Sequence, residues 1–348
     1  MGRGDDTTEG GVRKKRAISM TVSMADLARL AKVSKPTVSR VLKGSPNVTE
    51  ATRDLVLKVA RDNGYAVNRN AQKLRQTRTD TVGVVLDFGS HRAGRIADPF
   101  IFELLAGVAE ALSVRKVDLL LSSNLADDAR AYQDQIAGRA VDGFIFLGQG
   151  DRDPMLRQMA RLKVPFVVWG AVDPSEPYCV VGSDNRLGGN LAGRYFQKCG
   201  RRNWLFIGND RHAEIRLRHL GLETAAQGTG ATIATLPIAE LSYNSTYHAV
   251  QAYLADQVAP DAIFAFSDTA AMAAISAMRE AGLTAPRDYA LVGYNNIPHA
   301  ADFTPAITTI EQETHIAGAI LVEKLMQVID GSRANSTTLP TRLILRET

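Results

Sequence analysis

Eight short apolar runs, separated by helical segments, limit the possible folds of this chain more than any other feature. The first four are TVGVVLD (81–87), VDLLLSS (117–123), DGFIFLG (142–148) and PFVVWG (165–170). The second four are NWLFIGN (203–209), TIATLPI (232–238), DAIFAFSD (261–268) and the run from Tyr289 to Tyr294 in YALVGYNN. The first four read as short buried strands, the pattern of a parallel sheet, and the second four repeat the series. Between them lie runs of helical character such as FIFELLAGVAEAL and ARAYQDQI. Alternating β and α segments imply a parallel, doubly wound sheet. Two such series in succession imply two similar lobes, with a ligand cleft outside the C-terminal ends of their strands.

The first 80 residues break this rhythm. Residues 1–20 are Gly-rich and charged without periodicity, the composition of a disordered basic arm. From Ser23, SMADLARLAKV offers an N-cap, then Asp26 in the first turn, then Leu27, Leu30 and Ala31 at helical spacing. The turn KVS leads to a second helix capped by Ser34, with Pro36 tolerated near its start. A third helix, about Glu50 to Asn63, presents Leu55, Val56, Val59 and Ala60 to a small core and ends near Gly64. Two short helices joined by a tight turn form a helix-turn-helix. Val38, Val41 and Leu42 belong to the core side of the second helix, which leaves Lys35, Thr37, Arg40 and Lys43 facing outward. Such a face fits the ~12 Å major groove, where an arginine can grip guanine O6 and N7 together. Charge agrees: residues 11–78 hold 16 Lys+Arg against 4 Asp+Glu, while the first ten residues sum to −2 and the remainder of the chain to −6. A basic head on an acidic body is expected when one end meets phosphate.

The stretch MADLARLAKVSKPTVSRVLKGSPNVTEATRDLVLKVARDNGY resembles the headpiece of the LacI/GalR transcriptional regulators, and VNRNAQKLR (67–75) resembles their hinge helix. The likeness runs from about residue 21 to 348. ADPFIFELLAGV, SDNRLGG (183–189), RLRHLG (216–221), FSDTAAMAAISAM and VGYNNIPHAADFTPAITTIEQ are similar to motifs of that family's periplasmic-binding-protein-like effector domain. The resemblance implies DNA-binding roles for Ser34, Lys35, Thr37, Ser39 and Arg40 on the recognition helix. It makes Asn68 the start of the hinge helix, Ala71 a close dimer contact and Leu74 a wedge in the minor groove, unstacking one base step at a cost of a few kcal/mol. In the cleft it implies Arg218 and Asp268 as charge-assisted partners of sugar hydroxyls and Trp169 as a stacking face, with Phe100, Asp184, Asn185 and Asn295 as further candidates. Alternatives stand beside three of these: Asp268 as the N-cap of a helix starting at Thr269, Arg218 as a surface residue, Trp169 as core.

The chain departs from the family pattern at several points. Lys32 stands where the turn commonly has Gly, so a left-handed backbone there would cost about 1 kcal/mol. Val67 replaces the usual Pro before the hinge. Pro36 lacks a polar group at a base-reading position, which shifts the reading toward Lys35 and Arg40. GYNN replaces the commoner GYD and removes a carboxylate. The loop FGSHRAGRIADP is long for the family, and its His91, Arg92 and Arg95 are expected at the cleft mouth or in solvent.

The expected division is an arm (1–20), a helix-turn-helix headpiece (21–66), a hinge (67–78) and an effector-binding domain (79–348). Its first lobe takes about 79–182 and 312–338, its second about 183–311 and 339–348. No P-loop, G-x-G-x-x-G, H-E-x-x-H or G-x-S-x-G motif is present, and no cofactor is expected. Cys179 and Cys199 show no metal-ligand spacing. The N-terminus has no apolar signal segment and no run approaches the ~20 residues of a membrane span, so a cytoplasmic location is expected. The expected partners are double-stranded operator DNA, a small effector that is a mono- or oligosaccharide, and a second copy of the chain in a homodimer.

Overall fold

The computed structural model describes residues 22–42, 45–65, 78–86, 99–122, 128–150 and 153–348. They belong to two compact units, Met1–Arg75 and Gln76–Thr348.

The first unit holds helices α1 (Met24–Leu30), α2 (Lys35–Leu42) and α3 (Glu50–Asp62). Ser23 and Asp26 form a reciprocal capping box at α1, and Thr49 caps α3 through the Thr52 N–H. Leu27, Ala31, Val38, Val41, Val56 and Ala60 make the core, with Leu42, Val59 and Tyr65 packed against it. Leu55, expected in that core, is 47% exposed, as is Leu30. A core this small takes one stripe per helix, Leu27/Ala31 on α1 and Val56/Ala60 on α3, each pair four residues apart. Leu30 and Leu55 sit about 100° round from those stripes. Lys32 adopts φ 51° in the turn, the left-handed backbone that its position required. Gly64, at φ 60°, ends α3, and the Tyr65 N–H returns to the Ala60 carbonyl at 2.8 Å.

The second unit runs β1 (Thr81–Leu86), α4 (Pro99–Val114), β2 (Asp118–Ser122), α5 (Ala129–Ala137), β3 (Gly143–Leu147), α6 (Asp153–Arg161), β4 (Phe166–Trp169) and β5 (Cys179–Ser183). It continues with α7 (Asn185–Lys198), β6 (Asn203–Gly208), α8 (Ala213–Ala226), β7 (Thr232–Pro237), α9 (Tyr243–Asp256), β8 (Ala262–Ala265), α10 (Asp268–Glu280) and β9 (Ala290–Asn295). α11 (Pro298–Asp302), β10 (Thr309–Glu311), α12 (Thr314–Ile329), β11 (Thr337–Leu339) and β12 (Arg342–Ile344) complete it. The first sheet has the order β11-β5-β4-β3-β1-β2 and the second β12-β10-β9-β8-β6-β7. Neighbours are parallel throughout the first sheet, and in the second only β10–β12 is antiparallel. α12 packs on α4 and on β3, β4 and β5, so the chain returns to the first sheet before β12 closes the second. Three segments therefore cross between the lobes: β5 to α7, β10 to α12, and β11 to β12.

The strands β1, β3, β4 and β5 are buried along their whole length. VDLLLSS was expected to be buried too, but β2 leaves Leu120 and Leu121 exposed at 43% and 47%. It is the edge strand, with one neighbour instead of two. Among the described residues no helix is long and apolar enough to cross a membrane.

Candidate functional site

Two surfaces carry polar groups that the folds leave available, one on each unit. On α2, Val38 and Val41 are buried while Lys35, Pro36 and Arg40 are exposed. Ser34 Oγ accepts from the Thr37 N–H at 3.2 Å and lies 2.7 Å from Thr37 Oγ1. Ser34 thus caps the helix while the Thr37 hydroxyl bonds to it, and Ser34 remains exposed. Ser39 is half-buried. Lys35 and Arg40 are the long cations that this face presents. Lys43, Asn68, Ala71 and Leu74, and the loop carrying His91, Arg92 and Arg95, lie outside the described residues.

In the second unit a cavity opens at the C-terminal strand ends of both lobes. Phe100 at the start of α4, Gln149 after β3 and Trp169 at the end of β4 line it from the first lobe. Arg218 on α8, Phe266 and Ser267 after β8, and Asn295 at the end of β9 line it from the second, with His212 and Glu214 at the start of α8. The rings of Phe100 and Trp169 stand 5.9 Å apart and form an aromatic wall.

Arg218 is brought there by a tight helix contact. α7 carries Gly189 where any methyl would overlap the Arg218 carbonyl, so α7 and α8 touch backbone to backbone. Arg218 as a whole is 7% exposed. Its Nε donates to Asn185 Oδ1 at 2.8 Å and its Nη1 to the Phe266 carbonyl at 2.6 Å. Its Cζ sits 3.6 Å above the centre of the Tyr294 ring, a cation–π contact strengthened by burial. All three contacts are neutral. Burial pushes the Tyr294 hydroxyl above its ordinary pKa, against an opposing pull from Arg218.

Asn295 occupies a backbone conformation rare for a residue with a Cβ, φ 109°, of the kind that clusters at ligand sites. Its Oδ1 accepts from Gln312 Nε2 at 2.7 Å, and Gln312 Oε1 in turn accepts from Ser183 Oγ at 2.5 Å. Asn185 Nδ2 donates to the Ser183 carbonyl at 3.2 Å. Arg218, Asn185, Ser183, Gln312 and Asn295 thus form one chain of hydrogen bonds that links the cavity to two interlobe crossings. Gln149 shapes the wall while its amide is engaged elsewhere, accepting from the Ala171 N–H at 2.7 Å and donating to Tyr178 Oη at 3.3 Å.

Phe100, Trp169, Arg218 and Asn295 therefore meet in one cavity, but Asp268 does not join them. It is fully buried behind the cavity wall, where Oδ2 accepts from the Ile297 N–H at 2.9 Å and Oδ1 from the Thr309 hydroxyl at 2.5 Å. Nor is it the cap of α10, since Ser267 caps that helix through the Ala270 N–H. The motif gave the right strand end with the neighbouring side chain facing the cavity. Asp184 caps α7 and takes a crossing contact from Thr341, whose Oγ1 accepts from its N–H at 3.0 Å. Sequence reasoning missed Ser267, Gln149, His212, Glu214 and Gln312. Ser267 had a legible signal, a Ser before a helix at a strand end. The others had none.

A three-helix unit with an exposed basic second helix, followed by a two-lobed unit enclosing a polar and aromatic cavity, defines a DNA-binding regulator with an effector-binding domain. Residues 23–68 match the family of bacterial regulatory proteins, lacI family, and residues 194–348 the periplasmic binding protein-like domain. The transcriptional regulator CelR of Thermobifida fusca is 31% identical over 325 residues, spanning 92% of this chain and 94% of CelR. A crystal structure of the lac repressor dimer bound to operator and the anti-inducer ONPF superposes with a TM-score of 0.82 at 23% identity, covering 94% of this chain and 99% of that one. A CelR–cellobiose complex gives 0.68 at 29% identity, with coverages of 93% and 99%. The chain belongs to the LacI family of transcriptional regulators, which is not a family of enzymes.

Proposed function

We propose that this protein is a homodimeric repressor that binds a specific operator and whose grip on it is set by a sugar held between the two lobes. In this reading residues 1–20 are the arm, 21–66 the headpiece, 67–78 the hinge and 79–348 the effector domain. Ser34, Lys35, Thr37, Ser39 and Arg40 meet the major groove, and Asn68, Ala71 and Leu74 the hinge contacts in the minor groove. Arg218, Asn295 and Ser267 meet the hydroxyls of the effector, and Phe100 and Trp169 its ring. The dimeric assembly is supported by the lac repressor dimer, and the sugar by the cellobiose complex of CelR.

The observation that carries the effector class is the setting of Arg218. Among the described residues the groups that hold the buried guanidinium are neutral, so it retains donor capacity for the cavity, whose polar lining also includes the Ser267 hydroxyl, the Asn295 amide, His212 and Glu214. Together they can share donors and acceptors with vicinal hydroxyls, whose oxygens do both. The aromatic wall supplies the apolar face that a sugar ring covers. An effector can shift operator affinity only by its differential affinity for the two lobe arrangements, typically ~1–3 kcal/mol of coupling.

The test is fluorescence anisotropy on duplexes from the gene's own upstream region, titrated with cellobiose and with monosaccharides, for wild type and Arg218→Met. A wild-type midpoint that moves five- to 150-fold with one sugar, and does not move for Arg218→Met, is expected. No sugar response in wild type, with sequence-specific DNA binding intact, would refute the effector assignment.

A further inference from the structure

Three of the turns that feed the first sheet hold a cation on an unfavourable backbone, whereas Asp80 precedes β1 at φ 50° and Gly331 lies ahead of β11 at φ 79°. Lys116 before β2, Arg139 before β3 and Lys163 before β4 have φ of 57°, 57° and 56°, where glycine is the usual occupant. The second lobe follows that rule, with Gly200, Gly228, Gly230 and Gly282 at positive φ in its own turns. Three arginines at that rim are tied internally. Arg201 donates to the Pro286 and Asp288 carbonyls, Arg202 to Thr229, and Arg287 pairs with Asp288. On the first lobe Lys116, Arg161, Lys163 and Arg333 are all exposed, and none of them joins the ion pairs among the described residues. Arg78, at the same end, is taken up by Asp330, so the cations left available at this end of the lobe are Lys116, Arg161, Lys163 and Arg333.

All strands of the first sheet run parallel, so these turns share one end of the lobe. Backbone bonds from the Asp118 N–H to the Asp80 carbonyl, 2.8 Å, and from the Phe144 N–H to the Pro165 carbonyl, 3.0 Å, keep their starts level. At ~4.8 Å per strand the row from β2 to β11 spans about 24 Å, the rise of about seven base pairs. Lys163 and Arg333 flank a groove of about 760 Å³ at the β11 side of this rim. Residue 78 enters β1 at the same end. The segment joining it to residue 65 can reach at most about 45 Å when fully extended, so a duplex held by the headpiece is tethered to this rim.

We propose that the strand-entry rim of the first lobe is a second, sequence-independent contact with DNA, gripping phosphates that flank the operator. The inference rests on the DNA-binding reading of the headpiece. Long exposed cations without carboxylate partners suit phosphate, and they carry no base readout.

Two full-length variants test it, each on a bound fragment trimmed to its footprint and on the same fragment with 15-base-pair flanks. Lys116→Gly/Lys163→Gly removes two cations and the unfavourable φ together, so its melting temperature rises above wild type while its binding to the flanked duplex weakens. Adding Arg161→Gln and Arg333→Gln lowers the slope of log affinity against log salt on the flanked duplex by about 0.9 for each phosphate that is no longer neutralised. At least a tenfold loss at 100 mM salt is expected there, with the trimmed duplex unchanged. A wild-type slope on the flanked duplex, or equal loss on both duplexes, overturns the rim contact while leaving the headpiece reading intact. A wild-type protein that binds neither duplex overturns the headpiece reading and this inference with it.

Discussion

Asp268 separates a residue that builds the cavity from one that touches the effector. Replacing it by Ala strips the acceptor from two buried donors, the Ile297 N–H at 2.9 Å and the Thr309 hydroxyl at 2.5 Å. Leaving a buried donor unsatisfied costs about 1–3 kcal/mol, so the pair sums to ~2–6 kcal/mol. Release of a buried carboxylate offsets part of this, and a net loss of ~2–4 kcal/mol is expected. For a unit of this size that corresponds to a fall in Tm of about 4–10 °C. The Ile297 N–H sits just after Asn295, so the loss also loosens the backbone beneath the cavity. Thermal and urea unfolding of the full-length protein read the stability, and effector titration by calorimetry below the transition reads the site. The expected result is a clear loss of stability with an effector affinity reduced less than tenfold. Wild-type stability combined with abolished effector binding would show that the carboxylate serves the ligand, and would refute its placement behind the wall.

Four other outcomes follow from particular residues. Lys32→Gly relieves a left-handed backbone and should stabilise the protein by about 1 kcal/mol, read by urea unfolding. Arg40→Ala should relax base preference at one half-site position by ~1–3 kcal/mol, measured on a panel of single-base operator variants. Gly293→Ala puts a methyl where Asp268 Oδ1 lies and should destabilise by ~1–3 kcal/mol, checked by melting. The side chain of Arg287, then the Thr284 N–H, hold the Asp288 carboxyl well below the ordinary carboxylate range. A depressed folded-state pKa contributes stability that is fully present above the unfolded value, near 3.9, and is lost as pH falls toward the folded one. The Tm gap between wild type and Asp288→Ala should therefore be constant from pH 7 to about 5 and shrink below pH 4.

The period of the apolar residues determined the α/β alternation, because a strand buried on both faces and a helix covering it leave different patterns in the chain. Caps and turns were equally local: Ser23 with Asp26, the left-handed Lys32 and Gly64 each follow from neighbours within a few residues. Whether a given apolar residue reaches the core was not local. Leu55 and the leucines of β2 have core composition, and only the width of the small three-helix core and the edge position of β2 leave them exposed. The cavity was decided the same way. FSD marks a strand end, but which of two adjacent side chains faces the ligand depends on where β9 and β10 place the Ile297 N–H and Thr309 as partners for Asp268. Gln312 is more than 90 residues from Arg218 in sequence, and only the crossing of the chain between lobes ties them into one hydrogen-bonded chain. Composition and spacing record what a segment can form; the direction in which each side chain points is set by neighbours distant in sequence.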